Sequence, residues 1–479
     1  MSVAKNYVYN TLLQISNILI PFITIPYITR VLDPQGIGIV AYTNSIVQYF
    51  ILLATLGMTL YGNRTIAYVR NDKKVLNKTF WELFFLKLFT SIISIFVYVF
   101  FVFTINSDYK IVYYIQLINL IAVVFDISYF FMGIEDFKKT SIRSITIKII
   151  STILIFIVIK KPEDYVYYAL ISASGNFVGQ FILWKYLPEY IKLEKVSKEK
   201  ILYHLRNTIK LFIPMIAIQI YTVLDKTMIG ILANESEVAF YDMSQRLVKM
   251  TLALVTSIGI VMLPKISNLI SLNDNAKITY YARKVFDYIT YASVFIMLMM
   301  IITMPTFVPI FFGRDFIKVK DIIMIISPII LFISWSNFFG IQLMVPMKLE
   351  KYLTLSVTIG AIVNFSLNYF LIPKYQSIGA AISTIIAEFL VALIQITIIR
   401  KYIKIFEITK GIWKHFISGI LVYGILFQVT KLNIESLEKI IIEVFLGLIL
   451  YLTFEFILKS EINSLVVSKM ISFMKMKKN

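Results

Sequence analysis

The sequence has 479 residues, of which 58% are hydrophobic and only 16% are charged. Soluble domains usually carry about 25% charged residues, and apolar runs of about 20 residues recur along this chain. The composition therefore predicts an all-α polytopic membrane protein rather than a soluble domain or a β-barrel. The formal net charge is +19. Because most Lys and Arg residues lie in short loops, we attribute this charge to membrane topology and expect no nucleic-acid partner.

Hydropathy predicts about 14 transmembrane helices. They lie near residues 10–29, 37–60, 80–105, 111–132, 142–159, 165–186, 208–230, 238–263, 287–312, 322–345, 352–372, 378–399, 412–429 and 440–458. The polar segment 187–207 is the predicted cytoplasmic linker. It separates an N-lobe of six helices at 1–186 from a C-lobe of six helices at 208–399. Helices 13 and 14 and a basic tail make up 400–479.

Successive predicted loops are alternately rich and poor in Lys and Arg residues. Of the 47 Lys and Arg residues, 31 lie in or beside the loops on one side and 10 on the other. The positive-inside rule then places both termini in the cytoplasm. Abundant Ile, Lys, Asn, Phe and Tyr residues are typical of an AT-rich bacterial genome. The tail Val466–Lys478 is either an interfacial helix or a disordered basic segment.

Charged residues interrupt the seventh and eighth predicted spans. Asp225 and Lys226 lie in the seventh, and Asp242, Arg246 and Lys249 lie in the eighth. The last three are spaced i, i+4, i+7, which places them on one helix face. Because charges in a lipid-spanning helix cost a few kcal/mol each, they normally face protein or a water-filled cavity. We expect a positively biased cavity for an anionic group, or interhelix ion pairs that are purely structural.

Five further residues are predicted to contribute to this cavity. Arg30 and Arg64, near opposite ends of the first two spans, are placed at its two mouths, unless Arg30 snorkels and Arg64 only follows the positive-inside pattern. Asn44, Gln48 and Gln219 are placed on its walls, or else form interhelix hydrogen bonds.

A faint internal repeat supports this arrangement. Asn44 and Gln48 precede Asp242 and Arg246 by the same 198 residues. Six helices in each half make the repeats parallel, and transporters with such repeats commonly bind their substrates between the halves.

Few other residues are candidates for ion binding or catalysis. The remaining candidates for buried charges are Glu82, Lys87, Asp126, Glu388, Glu443 and Glu455. Of these, Asp126 and Glu388 are candidates for coupling to an H⁺ or Na⁺ gradient. The histidines, His204 and His415, both lie near predicted cytoplasmic loops, and with no Cys in the chain a metal site is not expected. The sequence has no phosphate-binding loop, H-E-x-x-H motif or G-x-S-x-G motif. We therefore expect a transporter without covalent chemistry or a cofactor.

The segment Pro21–Tyr42, PFITIPYITRVLDPQGIGIVAY, resembles the Wzx-type polysaccharide flippases of the multidrug/oligosaccharidyl-lipid/polysaccharide (MOP) exporter superfamily. The matching residues are Arg30, Leu32, Pro34, Gly36 and Gly38, whereas Asp33 stands where a glycine is more usual.

A second stretch, LDKTMIGILANESEVAFYDMSQRLVK, is similar to the same family at Asp225, Lys226, Gly230 and Tyr241. The resemblance spans nearly the whole chain.

The resemblance implies two MATE-like lobes that alternate access to the two sides of the membrane. The implied substrate is an undecaprenyl-diphosphate-linked oligosaccharide repeat unit, moved outward for capsule, exopolysaccharide or O-antigen synthesis. The implied partners are membrane lipids, a polysaccharide polymerase and glycosyltransferases. A flippase of the lipid II type remains open as an alternative. A cation-coupled multidrug exporter should need an acidic cavity, and a membrane glycosyltransferase or polymerase should need a long outer loop.

Overall fold

A computed structural model describes residues 3–272, 274–432 and 435–463. The regular secondary structure of those ranges is helical. The α-helices are α1 (Val3–Val31), α2 (Pro34–Thr55), α3 (Met58–Val69), α4 (Lys73–Thr104), α5 (Lys110–Phe125), α6 (Ser128–Gly133), α7 (Phe137–Val158), α8 (Tyr165–Trp184), α9 (Lys198–Leu232), α10 (Glu235–Ser271), α11 (Asn275–Phe311), α12 (Lys318–Ile326), α13 (Ile329–Ser336), α14 (Glu350–Ile399), α15 (Ile405–Ile408), α16 (Trp413–Val429) and α17 (Ser436–Ile457). The predicted all-α class is confirmed. The predicted tail Val466–Lys478 lies outside the described residues.

Each predicted span lies on one or more of these helices, and the span near 322–345 also includes a π-helix at Asn337–Met344. The span near 37–60 is divided between α2 and α3 at Leu56 and Gly57, where the φ angles are 42° and 75°. Helix α14 covers two predicted spans, with a φ of 55° at Gln376 between them. In the described ranges, 9 helices are long and apolar enough to cross a membrane, or up to 11 if each of two bent pairs is one span. A multi-pass membrane protein is therefore confirmed, while the count of 14 stays a prediction.

The outer-loop motif forms the start of α2. The Gly36 N–H donates to Asp33 Oδ1 at 2.7 Å, and Pro34 occupies the first helical position, where its missing N–H is not needed. Asp33, which departs from the family pattern, is thus an N-cap that satisfies the first turn of the helix. A Cβ atom on Gly38 would lie 1.8 Å from the carbonyl oxygen of Glu235, so this position requires glycine.

Contacts divide the chain into two compact units, Met1–Ala239 and Phe240–Asn479. In the first unit α2 packs against α4, α5 and α9, α1 packs against α7, and α5 packs against α8. In the second unit α11 packs against α12, α13, α15, α16 and α17. Because α9 contacts α2, α3 and α4, the unit boundary follows α9, one helix beyond the predicted linker at 187–207.

Helix α4 shows how the fold suits a lipid environment. Phe96 and Phe103 are 73% and 76% exposed, whereas Ser91 and Ser94 are buried. The Ser94 hydroxyl donates to the carbonyl oxygen of Phe50 on α2 at 2.6 Å. Small polar residues between helices and large apolar residues outside are typical of transmembrane packing, because lipid offers no water to bond polar groups.

Candidate functional site

Helix α10 carries three of the predicted site residues. The Arg246 Nε donates to Asp242 Oδ2 at 2.8 Å. The Asp242 side chain is 3% exposed and that of Arg246 is 42% exposed, and Lys249 is exposed one turn further along. The i, i+4 spacing allows this pairing along a single helix. The structure therefore brings Asp242 and Arg246 together, with the carboxylate buried and the guanidinium accessible.

Helix α9 carries Asp225 and Lys226, which belong to the first unit. Asp225 is buried and Lys226 is half-buried. The next residue, Thr227, lies 3.0 Å from the Ser45 hydroxyl and accepts a hydrogen bond from the Tyr49 hydroxyl at 3.1 Å. These bonds fix α9 against α2, so the position of Asp225 and Lys226 is set by packing within the first unit.

Asn44 belongs to a chain of amide side chains across α2, α5 and α8. Asn44 Nδ2 and Asn119 Nδ2 both donate to Gln116 Oε1, at 3.4 and 2.8 Å. Asn176 Nδ2 donates to Asn119 Oδ1 at 2.8 Å. Asn44 therefore makes the interhelix hydrogen bond that the sequence left as an alternative to a cavity position. Gln116 and Asn119 were not predicted from the sequence, although their i, i+3 spacing in an apolar helix was a detectable signal.

The other predicted site residues are more accessible. Arg30 lies in the last turn of α1, where its Nη1 donates to the carbonyl oxygen of Pro26 at 2.6 Å. A cation at this end also complements the helix dipole. Arg64 on α3 is exposed, and Gln48 and Gln219 are half-buried. Their roles at a cavity stay predictions.

Two candidates for buried charges in the first unit contact each other. Lys87 Nζ donates to the backbone carbonyl oxygen of Asp126 at 2.5 Å and lies 3.9 Å from its Oδ2. The Asp126 carboxylate also accepts the Ser128 N–H at 2.9 Å. Together these bonds satisfy backbone and side-chain groups at the break between α5 and α6.

His204 joins α9 to two other helices of the first unit. Its Nδ1 lies 2.7 Å from the Tyr61 hydroxyl, and its Nε2 lies 3.1 Å from Glu82 Oε2. All three side chains are buried. Burial lowers the pKa of His204, which precedes the predicted span, below its ordinary value. The neutral ring accepts from Tyr61 and donates to Glu82.

His415 occupies a similar position in the second unit. Its Nε2 lies 2.8 Å from Asp287 Oδ1 and its Nδ1 lies 2.9 Å from Glu455 Oε2. The three residues join α11, α16 and α17. Glu455 was predicted from the sequence as a buried charge, but its pairing with His415, and that of Asp287, was not, because nothing in a single sequence pairs residues 40 and 128 positions from His415.

Two other charged candidates differ in burial. Glu443 on α17 is buried, and its carboxyl oxygens have no hydrogen-bond partner among the described residues. Glu388 on α14 is half-buried. Within the described ranges, no group of His, Cys, Asp and Glu side chains is placed to hold a metal ion.

This fold, with polar and charged side chains set into apolar helices, defines the class: an all-α polytopic membrane protein. The structure is similar to "Lipid II flippase MurJ, inward closed conformation", with a TM-score of 0.77 and 16% identity over 95% of this chain and 98% of that chain. It is also similar to an inward-facing multidrug resistance MATE family transporter of the MOP superfamily, with a TM-score of 0.62 and 13% identity over 85% and 100% of the two chains. At these identities the likeness concerns the fold.

Sequence comparison gives the family. The family described as "Polysaccharide biosynthesis protein" matches residues 3–270, and this chain belongs to it. A relative from Escherichia coli (strain K12), named "Putative O-antigen transporter", is 24% identical over 410 residues, which cover 84% of this chain and 97% of the relative. A relative of the same name from Shigella dysenteriae is 25% identical over 406 residues, covering 83% and 100%. The protein is therefore a multi-pass membrane protein of the polysaccharide biosynthesis family.

Proposed function

We propose that this protein is a flippase for an undecaprenyl-diphosphate-linked oligosaccharide repeat unit. It moves the unit from the inner to the outer leaflet of the bacterial cytoplasmic membrane, with both termini in the cytoplasm, for synthesis of capsule, exopolysaccharide or O-antigen. Family membership and the names of the relatives support the substrate class. The structural observation that carries the proposal is the accessible Arg246, bonded to the buried Asp242 and followed by the exposed Lys249.

This arrangement suits a diphosphate. Two accessible cations one turn apart on a membrane helix are costly unless they face protein, water or a polar ligand. The buried Asp242 holds the Arg246 guanidinium by its Nε at 2.8 Å, which restricts the side chain before the substrate arrives. A guanidinium is a planar fork that binds phosphate oxygens bidentately, and an ammonium adds a mobile point charge. We assign both side chains to the substrate pathway.

Transport by alternating access requires no covalent chemistry. Moving two negative charges outward is favoured by an inside-negative membrane potential and releases about 2.3 kcal/mol per charge per 100 mV, or roughly 4.6 kcal/mol in total. An H⁺ or Na⁺ gradient is a further proposed source of free energy. The candidate sites for the coupling cation are Glu388 and Asp126, and the latter lies 3.9 Å from Lys87.

The proposal is tested in a strain that lacks its own repeat-unit flippase. The double variant Arg246→Ala/Lys249→Ala should insert into the membrane normally but fail to restore surface polymer, because the two accessible cations assigned to the substrate pathway are removed. The matched control is Lys277→Ala, which removes a 67% exposed cation at the start of α11 and should restore polymer fully. Wild-type polymer levels with the double variant would rule out a role for this pair. Rescue of a strain that lacks its lipid II flippase would instead assign the peptidoglycan precursor as substrate.

A further inference from the structure

The second unit contains a cavity that the proposed transport function does not use. Its volume is about 820 Å³. It lies between the first turns of α11 and the segment that runs from the end of α14 through α15 to residue 410. The polar side chains that line it include Tyr280, Arg283, Tyr402, Lys404, Glu407 and Lys410. Both segments fall in loops that the positive-inside rule places in the cytoplasm.

The cavity is basic. Arg283, Lys404 and Lys410 line it, against the single carboxylate of Glu407. Lys404 Nζ lies 3.3 Å from Glu407 Oε1, which partly offsets the charge of that lysine. Arg283 is bonded to Glu461, which does not line the cavity and holds the guanidinium in place, and Lys410 adds a further cation. A pocket with this charge balance favours an anion with several oxygen atoms, such as a phosphate group.

The aromatic residues at the same level indicate where the cavity sits in the membrane. Tyr280 and Tyr402 line it and are 52% and 51% exposed. Phe406 on α15 is 83% exposed and Trp413 at the start of α16 is 54% exposed. Exposed aromatic side chains beside basic residues are typical of the membrane–water interface, where the rings sit among lipid headgroups. A basic cavity at that level is therefore within reach of a headgroup phosphate.

We propose that this cavity binds the phosphate group of an anionic phospholipid, of the phosphatidylglycerol class, from the cytoplasmic leaflet. Arg283 and Lys410 contact the phosphate, Lys404 contributes charge at the rim, and Tyr280 and Tyr402 flank the glycerol. A volume of about 820 Å³ is within the usual range for small-molecule sites. The inference uses the predicted topology and does not depend on which molecule the protein transports.

The test measures lipid binding to the purified full chain by native mass spectrometry. The probes are phosphatidylglycerol, phosphatidylcholine, undecaprenyl diphosphate and inorganic phosphate. Wild-type protein should retain phosphatidylglycerol over phosphatidylcholine. The variant Lys404→Ala/Lys410→Ala should weaken phosphatidylglycerol binding by about fivefold for each cation removed, or about 25-fold in total. The charge-conserving variant Lys404→Arg/Lys410→Arg should bind as the wild type does. So should the control Lys351→Ala, which changes an exposed lysine that does not line the cavity.

Three results would overturn the proposal. The first is equal phosphatidylglycerol binding by the double alanine variant and the wild type. The second is displacement of phosphatidylglycerol by equimolar undecaprenyl diphosphate, which would make the cavity a carrier site. The third is displacement by millimolar inorganic phosphate, which would make it a site for a free anion. Because both lysines are exposed, the double variant should fold, and an unchanged thermal midpoint verifies this.

Discussion

Replacing His415 with alanine should destabilise the second unit more than any other single change considered for it. The ring is 1% exposed and contacts Asp287 Oδ1 at 2.8 Å and Glu455 Oε2 at 2.9 Å. The two carboxylate side chains are themselves only 12% and 0% exposed. Alanine removes both hydrogen bonds and leaves two acidic groups together in a buried site. Breaking a buried ion pair from one side costs about 3–5 kcal/mol.

That cost converts to a measurable shift in melting temperature. For a soluble domain of 150–250 residues, 1 kcal/mol moves the midpoint by about 2–4 °C. The second unit, Phe240–Asn479, is of that size, so the midpoint of His415→Ala should fall by about 6–20 °C. The assay is thermal unfolding of the purified protein in detergent, followed by intrinsic fluorescence.

Ser418 provides the matched control on the same helix. It is as fully buried as His415, but its hydroxyl has no hydrogen-bond partner among the described residues, so Ser418→Ala should leave the midpoint nearly unchanged. Adding Asp287→Asn and Glu455→Gln to His415→Ala should recover part of the loss, because the uncompensated charges are removed. A midpoint for His415→Ala within about 2 °C of wild type would refute the reasoning.

Two further predictions concern the first unit. Gly230→Ala would place a Cβ atom 2.2 Å from the ring of Tyr42, so it should cost about 1–3 kcal/mol in a thermal-unfolding assay. Adding Tyr42→Ala to Gly230→Ala should remove this steric clash and recover part of the lost stability. The control Gly424→Ala, at a glycine with open space around it, should leave the stability unchanged. Because burial lowers the pKa of His204, its neutral form stabilises the fold above the unfolded-state pKa of about 6.5, and this stability is lost as pH falls through the folded pKa. The melting temperature of the wild type should therefore decrease as the pH is lowered below about 6.5, and that of His204→Gln should decrease less. An identical pH profile for the two proteins would contradict this assignment.

The positions of the helices could be predicted well from the sequence, because a membrane span needs about 20 consecutive apolar residues and composition alone reveals it. The breaks within the spans could not be predicted from the sequence. Asp126 interrupts the span near 111–132 because its carboxylate accepts the Ser128 N–H and Lys87 bonds its carbonyl oxygen. One polar residue in an apolar run does not reveal such bonds.

The candidate site was predictable to the extent that its contacts are local. The Asp242–Arg246 pair follows from i, i+4 spacing on one helix, and the structure has it at 2.8 Å. Asp225 and Lys226 were predicted to contribute to the same cavity, and that stays a prediction; the bonds of Thr227 to α2, which belong to the first unit, could not be predicted from spacing along one helix. Which helices pack together depends on tertiary contacts, and hydropathy and spacing do not encode them.

The most direct test of the central claim is lipid translocation in proteoliposomes that contain only this protein and an undecaprenyl-diphosphate-linked repeat unit. The account predicts that wild-type protein moves the oligosaccharide to the opposite leaflet, that Lys277→Ala does so at the same rate, and that Arg246→Ala/Lys249→Ala does so at least tenfold more slowly, the factor for about 1.4 kcal/mol. Equal rates for the double variant and the wild type would contradict the assignment of these cations to the substrate pathway. Translocation of lipid II, with none of the repeat unit, would contradict the proposed substrate.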